Sequence, residues 1–290
     1  MRRFFSESRL RFLVWASLIS QILIVVTGAA VRLTGSGLGC PTWPSCTANS
    51  IVNVPEMGIH GVIEFGNRLL TFVLLLIAAL TLLFVLNLHT KRKIRITSIG
   101  LVFGIFLQAV VGGISVLMQL NPWIVGLHFI ISGVMIAIAS LQLWRTYSPS
   151  VSNFTRSEFV LSRSIATIGS IAVVVGVLVT GSGPHAGDAA TPRNGLDTSV
   201  WQHYHSYPAY LTLTLTLLQL LLVRRRDVDG YASRLTFWAV VCLICQAVVG
   251  VAQSRLGLPV QLVIIHIALA AVLISLMSFQ VLVYKRATSG

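Results

Sequence analysis

The sequence predicts an all-α integral membrane protein with eight transmembrane helices arranged as two repeated four-helix bundles. Three features support this fold class: an apolar composition, eight long apolar runs and an internal repeat. Hydrophobic residues make up 55% of the 290 residues, charged residues only 10%, and the mean hydropathy is +0.85. An ordinary soluble domain carries about 25% charged residues, so this composition excludes one.

Eight apolar runs are each long enough to form a membrane-spanning helix. A hydrocarbon layer of about 30 Å requires about 20 residues of helix. The runs lack the strict alternation of a membrane barrel, and backbone groups in lipid must find partners within their own segment, so helices are expected. The runs lie at 12–33, 58–88, 97–119, 123–144, 162–182, 201–223, 235–255 and 260–284.

An internal repeat divides the chain into two halves. Three pairs of positions are separated by 138 residues (246 − 108 = 138): the Gln-Ala-Val-Val-Gly segments at 108–112 and 246–250, His128 and His266, and Asn67 and His205. One offset shared by unrelated residue types indicates a duplicated unit. We therefore expect an N-terminal bundle at 1–148 and a C-terminal bundle at 149–290.

The basic residues indicate the orientation of the helices. The net charge is +13, and 17 of the 21 Lys and Arg residues fall in alternate connections. These connections lie near 2–11, 91–95, 145–163, 224–234 and 285–286. This positive-inside pattern predicts a multi-pass plasma-membrane protein with both termini in the cytoplasm. The charge orients the protein in membrane lipid, and a nucleic-acid partner is not expected.

Two long connections, at about 34–57 and 183–200, are expected on the outer side. Each is introduced by a Thr-Gly-Ser-Gly tetrad, at 34–37 and at 180–183. Glycine at a helix end permits left-handed backbone and the close approach of another group. The tetrads are therefore either helix C-caps or contacts to a ligand.

The first outer loop contains Cys40 and Cys46. A disulfide is expected because thiols on the outer face are not kept reduced by a cytosolic pool. Pro41 and Pro44 lower the entropy that closing so small a ring would cost. Metal ligation is not favoured, because the loop offers only two such ligands. The disulfide is either a structural staple or a redox-active pair, and we expect the loop to lie outside the bundle core.

Histidine is the residue type that indicates function most strongly, because a ligating side chain inside a membrane helix is costly. Four histidines fall in the outer half of the second, fourth, sixth and eighth helices: His60, His128, His205 and His266. Two imidazoles from facing helices can supply both axial nitrogens of a haem iron. The last three are the predicted iron ligands, with His203 a rival for His205. For any single histidine, the alternative is a hydrogen-bonded role in helix packing.

The second helix differs between the two halves. His60, Glu64 and Asn67 follow spacings of four and three, so they share one helix face. Glu64 is the only carboxylate within a predicted span, and burial favours its neutral form unless a cation is near, which suits a proton-handling group. Asn67 stands where the second half has His205. This asymmetry predicts a closed, two-ligand haem in the second half and a more open, reactive site in the first.

Four segments resemble the sequence signature of the haem A synthases: 27–41, 63–68, 108–113 and 180–187. The resemblance spans the whole chain, and it implies a membrane oxidoreductase that oxidises a ring methyl group of haem O to the formyl group of haem A, through an alcohol, for terminal oxidases. It also implies a haem b cofactor in the C-terminal half, haem O as the substrate in the N-terminal half, and haem O synthase as a partner. Many members have Glu-x-x-His-Arg in the second helix, where this chain has Asn67 in place of the histidine.

The residues and the resemblance together assign roles at the substrate haem. His128 is expected to bind its iron, with Asn67 near the other face. Glu64 is expected to act beside the reacting methyl group, where it either accepts a proton or stabilises positive charge as electrons leave, and His60 is the second catalytic candidate.

The same argument assigns the remaining contacts to haem. His205 and His266 are expected to hold the haem b, which passes electrons onward. Arg32 and Arg68 are expected to pair with haem propionates, although snorkelling to the membrane surface explains either arginine almost as well.

Two other classes of protein share parts of this pattern. A dihaem b-type cytochrome that only transfers electrons would share the histidines, but it does not need Glu64, the asymmetry or the cysteine loop. A transporter also suits repeated bundles, yet it should have helices broken in mid-membrane, and the sequence predicts none.

Overall fold

A computed structural model of the chain describes residues 5–149, 154–224 and 230–284. Within these ranges eight helices are long and apolar enough to cross a membrane, so the predicted all-α fold with eight spans is confirmed. The helices are α1 (Glu7–Leu33), α2 (Gly58–Asn87), α3 (Arg92–Leu117), α4 (Pro122–Tyr147), α5 (Arg156–Ser182), α6 (Thr198–Val223), α7 (Tyr231–Arg255) and α8 (Val260–Val283). The basic residues Arg2, Arg3, Arg225, Arg226, Lys285 and Arg286 of the predicted orientation pattern lie outside the described residues.

Four helices begin at least one full turn before the apolar runs that predicted them. Helices α1, α3, α5 and α7 start at residues 7, 92, 156 and 231, whereas the runs start at 12, 97, 162 and 235. The extra first turns carry charged side chains, which can reach water while their backbone remains helical. Glu7 and Glu158 therefore also lie on long helices, in the first turn of each. Among the described residues, Glu64 is the one carboxylate placed beyond the first turn of a long helix.

Local capping explains where α5 begins. The backbone N–H of Thr155 donates to Glu158 Oε2 at 2.8 Å, and the backbone N–H of Glu158 donates to Thr155 Oγ1 at 3.3 Å. This reciprocal pair is a capping box, which satisfies two of the N–H groups that a helix start leaves unpaired. Helix α6 continues through Pro208 without a break.

The chain divides into two compact units. The first unit comprises Met1–Thr146 and Val177–Thr198, and the second comprises Tyr147–Gly176 and Ser199–Gly290. In the first unit α1 packs on α2 and α2 on α3, and in the second unit α7 packs on α8. The predicted boundary between residues 148 and 149 remains a prediction, and the segment 177–198 is grouped with the first unit.

Hydrogen bonds explain why the segment 177–198 belongs to the first unit. Arg32, in the last turn of α1, donates from Nε to the carbonyl of His185 at 2.8 Å and from Nη2 to the carbonyl of Thr180 at 2.7 Å. The N–H of Gly37 donates to the carbonyl of Gly187 at 2.8 Å. The two loops introduced by the Thr-Gly-Ser-Gly tetrads are thus joined within one unit.

Buried polar contacts link neighbouring helices in both units. In the first unit Gln142 donates to Ser98 Oγ at 2.6 Å, and in the second unit the hydroxyls of Thr236 and Tyr284 are 2.8 Å apart. Ser98 and Thr236 are separated by the repeat offset of 138 residues. Interhelical hydrogen bonds of this kind hold membrane helices together where both lipid and protein are apolar. Only the position of Ser98 and Thr236 is common to the two contacts, because the repeat relates Gln142 to Gln280 rather than to Tyr284.

The outward faces of the helices are apolar. Phe72, Phe103 and Trp238 expose 68%, 68% and 60% of their surface. Exposed aromatic side chains along whole helices are expected when the surrounding medium is hydrocarbon rather than water.

Candidate functional site

Two histidines face each other in the second unit. The ring centroids of His205 on α6 and His266 on α8 are 6.2 Å apart, with an interplanar angle of 72°. His205 Nδ1 lies 2.9 Å from the carbonyl of Ala172 on α5. When Nδ1 carries the proton and donates this bond, Nε2 is left with its lone pair for a metal. The structure thus brings together two of the three predicted iron ligands.

The separation of these two rings fits axial ligation of a haem iron. A metal–imidazole bond is about 2 Å long, so two imidazoles on opposite faces of one iron have ring centroids about 6 Å apart. Glycine makes room for both rings. A Cβ at Gly176 would lie 2.9 Å from Cε1 of His205, and one at Gly250 would lie 3.1 Å from Cε1 of His266. The residues of the second unit therefore fit a haem held by two histidines.

His203, the predicted rival of His205, is exposed. Its backbone carbonyl accepts a hydrogen bond from Ser206 Oγ at 2.9 Å. The geometry therefore favours His205 as the partner of His266.

His128 occupies the repeat-related position in the first unit. A Cβ at Gly112 would lie 3.2 Å from Cε1 of His128, which matches the relation of Gly250 to His266. Gln108, on α3, links this helix to α4. Its Nε2 donates to the carbonyl of His128 at 3.1 Å and to Ser132 Oγ at 2.5 Å. The Nδ1 atom of His128 is buried and has no hydrogen-bond partner among the described residues.

Asn67 stands in the first unit where the repeat places His205 in the second. Its Oδ1 atom is buried and unpartnered within the described part of the chain. A Cβ at Gly28 would lie 4.0 Å from Asn67 Nδ2. Buried polar atoms are nearly always satisfied by protein, water or ligand. Asn67 and His128 therefore each keep a polar atom, unpaired among the described residues, that a bound ligand could satisfy.

Glu64 is buried, with 5% of its surface exposed, and both of its carboxylate oxygens are engaged. Oε2 accepts the backbone N–H of Cys40 at 2.6 Å, and Oε1 accepts Nε of Arg68 at 3.1 Å. The sequence argument allowed a charged Glu64 only if a cation were near, and Arg68, four residues further along α2, is that cation.

The two arginines predicted to pair with haem propionates are both bound to the protein. Arg68 donates to the carbonyls of Cys40, Thr42 and Ser45 at 2.8, 3.0 and 3.3 Å, in addition to Glu64. Arg32 holds the two carbonyls near the end of α5 described above. The geometry thus gives the propionate role no support. Both arginines instead hold backbone carbonyls through hydrogen bonds.

The predicted disulfide between Cys40 and Cys46 is present, and both residues are fully buried. The expectation that this loop lies outside the bundle core does not apply to its two buried cysteines, whereas Pro41, Trp43 and Pro44 are exposed. Trp43 packs so closely on α3 that a Cβ at Gly113 would lie 2.3 Å from its ring atom Cδ2. The apolar indole ring and the buried sulfur atoms draw the loop into the first unit.

Thiol labelling tests the disulfide in the purified protein. In a Cys242→Ser/Cys245→Ser background, Cys40 and Cys46 are the remaining cysteines. We expect no alkylation before reduction and two alkylated thiols after dithiothreitol, measured as a mass shift in denatured protein so that burial does not hide a free thiol. Alkylation of both cysteines without reductant would contradict the bond.

His60 lies in the first turn of α2 and is exposed. Its Nδ1 is 2.8 Å from Ser36 Oγ, which in turn is 2.9 Å from Thr34 Oγ1. The second tetrad makes the same type of link, because Thr198 Oγ1 donates to Ser182 Oγ at 2.9 Å. His60 and Thr198 are related by the repeat, so the contact of His60 belongs to the architecture that both halves share.

The first tetrad forms the C-cap of α1. Gly35 has φ +67°, the N–H of Ser36 donates to the carbonyl of Val31 at 2.9 Å, and that of Gly35 donates to the carbonyl of Arg32 at 3.2 Å. These two bonds define a Schellman motif, in which a left-handed glycine ends the helix. Of the two interpretations of the tetrad, the C-cap is the one that the structure shows.

Several functional contacts were not predicted from the sequence. The glycines at positions 112, 176 and 250 leave room for the histidine rings, and two of them lie in the repeated Gln-Ala-Val-Val-Gly segments. The spacing of four between Glu64 and Arg68 also indicates a pair on one helix face. The three carbonyls held by Arg68 had no sequence pattern that could reveal them.

The fold and the sites define a multi-pass helical membrane protein with a histidine pair of the geometry that haem ligation requires. The chain matches the model of the COX15-CtaA family, cytochrome oxidase assembly protein, over residues 11–278. The chain therefore belongs to this family.

Curated relatives extend the similarity over nearly the whole chain. The Heme A synthase of Listeria monocytogenes serotype 4a (strain HCC23) is 28% identical over 299 residues, covering 96% of each chain. The Heme A synthase of Staphylococcus epidermidis (strain ATCC 12228) is 24% identical over 304 residues, covering 98% of each. The Heme A synthase of Lysinibacillus sphaericus (strain C3-41) is 34% identical over 138 residues, which are 46% of this chain and 44% of that protein.

Proposed function

We propose that this chain is a haem A synthase, a membrane oxidoreductase that oxidises a ring methyl group of haem O to the formyl group of haem A, through an alcohol. The observation that carries the proposal is the asymmetry of the repeat. One unit pairs His205 with His266, whereas the other has Asn67 and His128 at the related positions and adds the buried carboxylate of Glu64. The family and the names of the relatives support this assignment.

The proposed setting follows from the same features. The N-terminal bundle, 1–148, takes the substrate, and the C-terminal bundle, 149–290, holds haem b. Haem O synthase supplies the substrate, and terminal oxidases use the product. The distribution of basic residues supports a plasma-membrane location with both termini in the cytoplasm.

In the C-terminal bundle, His205 and His266 would hold haem b through their Nε2 atoms. Haem b bound there supplies reversible one-electron transfer. The carbonyl of Ala172 orients the ring of His205 through Nδ1. Gly176 and Gly250 give both rings the space they need.

In the N-terminal bundle, His128 would bind the iron of the substrate. Asn67, the counterpart of His205, offers only an amide, which is a far weaker iron ligand than imidazole. A site with one strong ligand releases its haem more readily than a site with two. This difference suits a substrate that must enter and a product that must leave.

Glu64 would accept protons as the methyl group is oxidised. Oxidation of the methyl group releases electrons as well as protons: the electrons would pass through haem b to an external acceptor, and a positioned carboxylate is a suitable general base for the protons. Its ion pair with Arg68 opposes the neutral form of Glu64 that burial favours. Burial without a neighbouring cation would instead favour the neutral form of Glu64, which cannot accept a proton. His60, whose ring is hydrogen-bonded to Ser36, is the second candidate for the same task.

The pigments of the purified protein test the proposed function. We expect acid–organic extraction to yield haem b together with haem O or haem A. Haem b alone would instead indicate a dihaem cytochrome that only transfers electrons. A colourless protein would contradict both functions.

A glycine variant tests the haem b site without removing a ligand. In Gly176→Ala the new Cβ, 2.9 Å from Cε1 of His205, must displace the ring. Overpacking of this kind costs about 1–3 kcal/mol, so haem b affinity should fall roughly 5- to 150-fold. Gly100→Ala is the matched control, because its Cβ has no neighbour within 4 Å. Equal haem b content in the two variants would contradict the site.

A further inference from the structure

We propose that Arg68 is a positioning residue that ties the carboxylate of Glu64 to the oxidised Cys40–Cys46 loop, so that the thiol–disulfide state of this loop controls the placement of Glu64. The proposal rests on the proposed function for the role of Glu64. The contacts that carry it are independent of haem chemistry.

The guanidinium of Arg68 is fully occupied. All three of its nitrogens donate: Nε and Nη2 to Glu64 Oε1, Nη2 also to the carbonyl of Cys40, and Nη1 to the carbonyls of Thr42 and Ser45. A guanidinium presents five N–H groups in one rigid plane, so it can hold a carboxylate and several carbonyls at once. Lysine, with one ammonium group, cannot reproduce this arrangement.

The ion pair holds the peptide groups of Cys40 from both sides. Glu64 accepts the N–H of Cys40 at 2.6 Å, and Arg68 donates to the carbonyl of Cys40 at 2.8 Å. Glu64 exposes 5% of its surface and Cys40 none. Water therefore has little access to replace these bonds, and Glu64 is oriented by the loop as much as the loop is held by Glu64.

The three carbonyls that Arg68 binds belong to the ring closed by the disulfide. They are those of residues 40, 42 and 45, and the ring spans residues 40–46. Reduction by an external dithiol, which is itself oxidised to a disulfide, adds two electrons and two protons and converts the Cys40–Cys46 disulfide to two thiols. The opened loop gains conformational freedom, so the carbonyls no longer have to converge on one guanidinium.

Thermodynamic linkage then makes the effect reciprocal. If the hydrogen bonds from Arg68 to Glu64 and to the loop carbonyls are stronger with the disulfide closed, these bonds must stabilise the disulfide by the same factor. Arg68 should therefore make Cys40–Cys46 harder to reduce. Reduction should in turn loosen the contacts that orient Glu64.

The other half of the repeat has no counterpart of the Glu64–Arg68 ion pair or of the Cys40–Cys46 disulfide. Gln202 and Ser206 stand at the positions related to Glu64 and Arg68, and the connection 183–197 contains no cysteine. The side chain of Gln202 accepts a bond from Ser254, and that of Ser206 donates to the carbonyl of His203. The ion pair and the disulfide thus occur together in one half and are both absent from the other.

The experiment is a redox titration of Cys40 and Cys46 in the purified full-length protein. The background is Cys242→Ser/Cys245→Ser, the redox buffer is dithiothreitol, and the reduced fraction is measured by alkylation and mass. We expect Arg68→Gln to shift the disulfide–dithiol equilibrium about tenfold toward the dithiol, which corresponds to roughly 30 mV. Arg68→Lys should fall between Arg68→Gln and the parent protein.

Arg32→Gln is the matched control. Arg32 also lies near a helix end and donates to two backbone carbonyls, but these belong to Thr180 and His185. We expect its midpoint to equal that of the parent protein. A parental midpoint in both Arg68 variants would overturn the proposal, and so would an equal shift in Arg32→Gln.

The haem b content of each variant shows whether the protein has folded, because the histidine pair lies in the second unit. Arg68→Lys serves as the test variant if Arg68→Gln does not accumulate. The midpoint does not depend on haem A formation. Shifted midpoints in the Arg68 variants, together with no haem A from the unmodified chain, would refute the proposed function and leave the role of Arg68 intact. Haem A formation by the unmodified chain, with parental midpoints in both Arg68 variants, would support the proposed function and refute the role of Arg68.

Discussion

Replacing His205 or His266 with Ala is expected to abolish the low-spin haem b spectrum of the purified protein. The two rings lie 6.2 Å apart by centroid, as two axial ligands of one iron should. Loss of either imidazole leaves the iron with one protein ligand. Changes to groups that merely orient a ligand cost about 10- to 100-fold in metal affinity, so removal of a ligand itself should cost at least that much. Reduced-minus-oxidised spectra and extracted haem measure the loss.

His203→Ala is the control for these two variants. His203 lies two residues from His205 and is exposed, so its removal should leave the haem b spectrum unchanged. An unaltered spectrum in both His205→Ala and His266→Ala would refute the assignment. Loss of the spectrum only in His203→Ala would transfer the ligand role to His203.

Glu64→Gln should separate substrate binding from product formation. The variant should still accumulate haem b and bind haem O, but it should stall before the formyl product, with haem O or the alcohol accumulating. Glutamine keeps the size of the side chain but removes the site that takes up a proton. General base catalysis contributes about 10²- to 10⁴-fold, so haem A formation should fall by at least about 100-fold. Chromatography of extracted haem distinguishes haem O, the alcohol and haem A.

Gln202→Ala provides the matched control, because Gln202 is the repeat counterpart of Glu64. This variant should make haem A at a rate close to that of the unmodified protein. If Glu64→Gln also makes haem A at that rate, Glu64 is a structural partner of Arg68 and Cys40. His60→Ala would then test the remaining candidate base.

The fold was predictable because lipid permits few structures. Eight apolar runs gave eight helices, since a backbone in hydrocarbon must satisfy its hydrogen bonds within the segment. The starts of α1, α3, α5 and α7 were not predictable from hydropathy. Charged side chains in their first turns interrupt the apolar pattern without interrupting the helix.

The histidine pair was predictable because the repeat relates positions within the chain. His266 was identified by its distance from His128, and His205 by its distance from Asn67. The choice between His205 and His203 needed the structure, since only one of the two rings faces α8. Hydropathy cannot show which side of a helix meets its neighbour.

The engagement of Arg68 could not be derived from the sequence. Its spacing from Glu64 is visible, but its bonds to Cys40, Thr42 and Ser45 depend on how a 24-residue loop folds back on α2. A half-buried arginine near a haem site suggests a propionate partner on chemical grounds alone. The loop carbonyls occupy the guanidinium instead, which only tertiary structure reveals.

The most direct test of the central claim is the conversion of haem O in cells. The chain would be expressed in a host that makes haem O and no haem A, and the membrane haems would be extracted and separated by chromatography. We predict that haem A appears with the unmodified chain and is absent with His128→Ala, while haem b remains bound in both. Bound haem b without any haem A from the unmodified chain would contradict the account and would leave an electron-transfer cytochrome as the function.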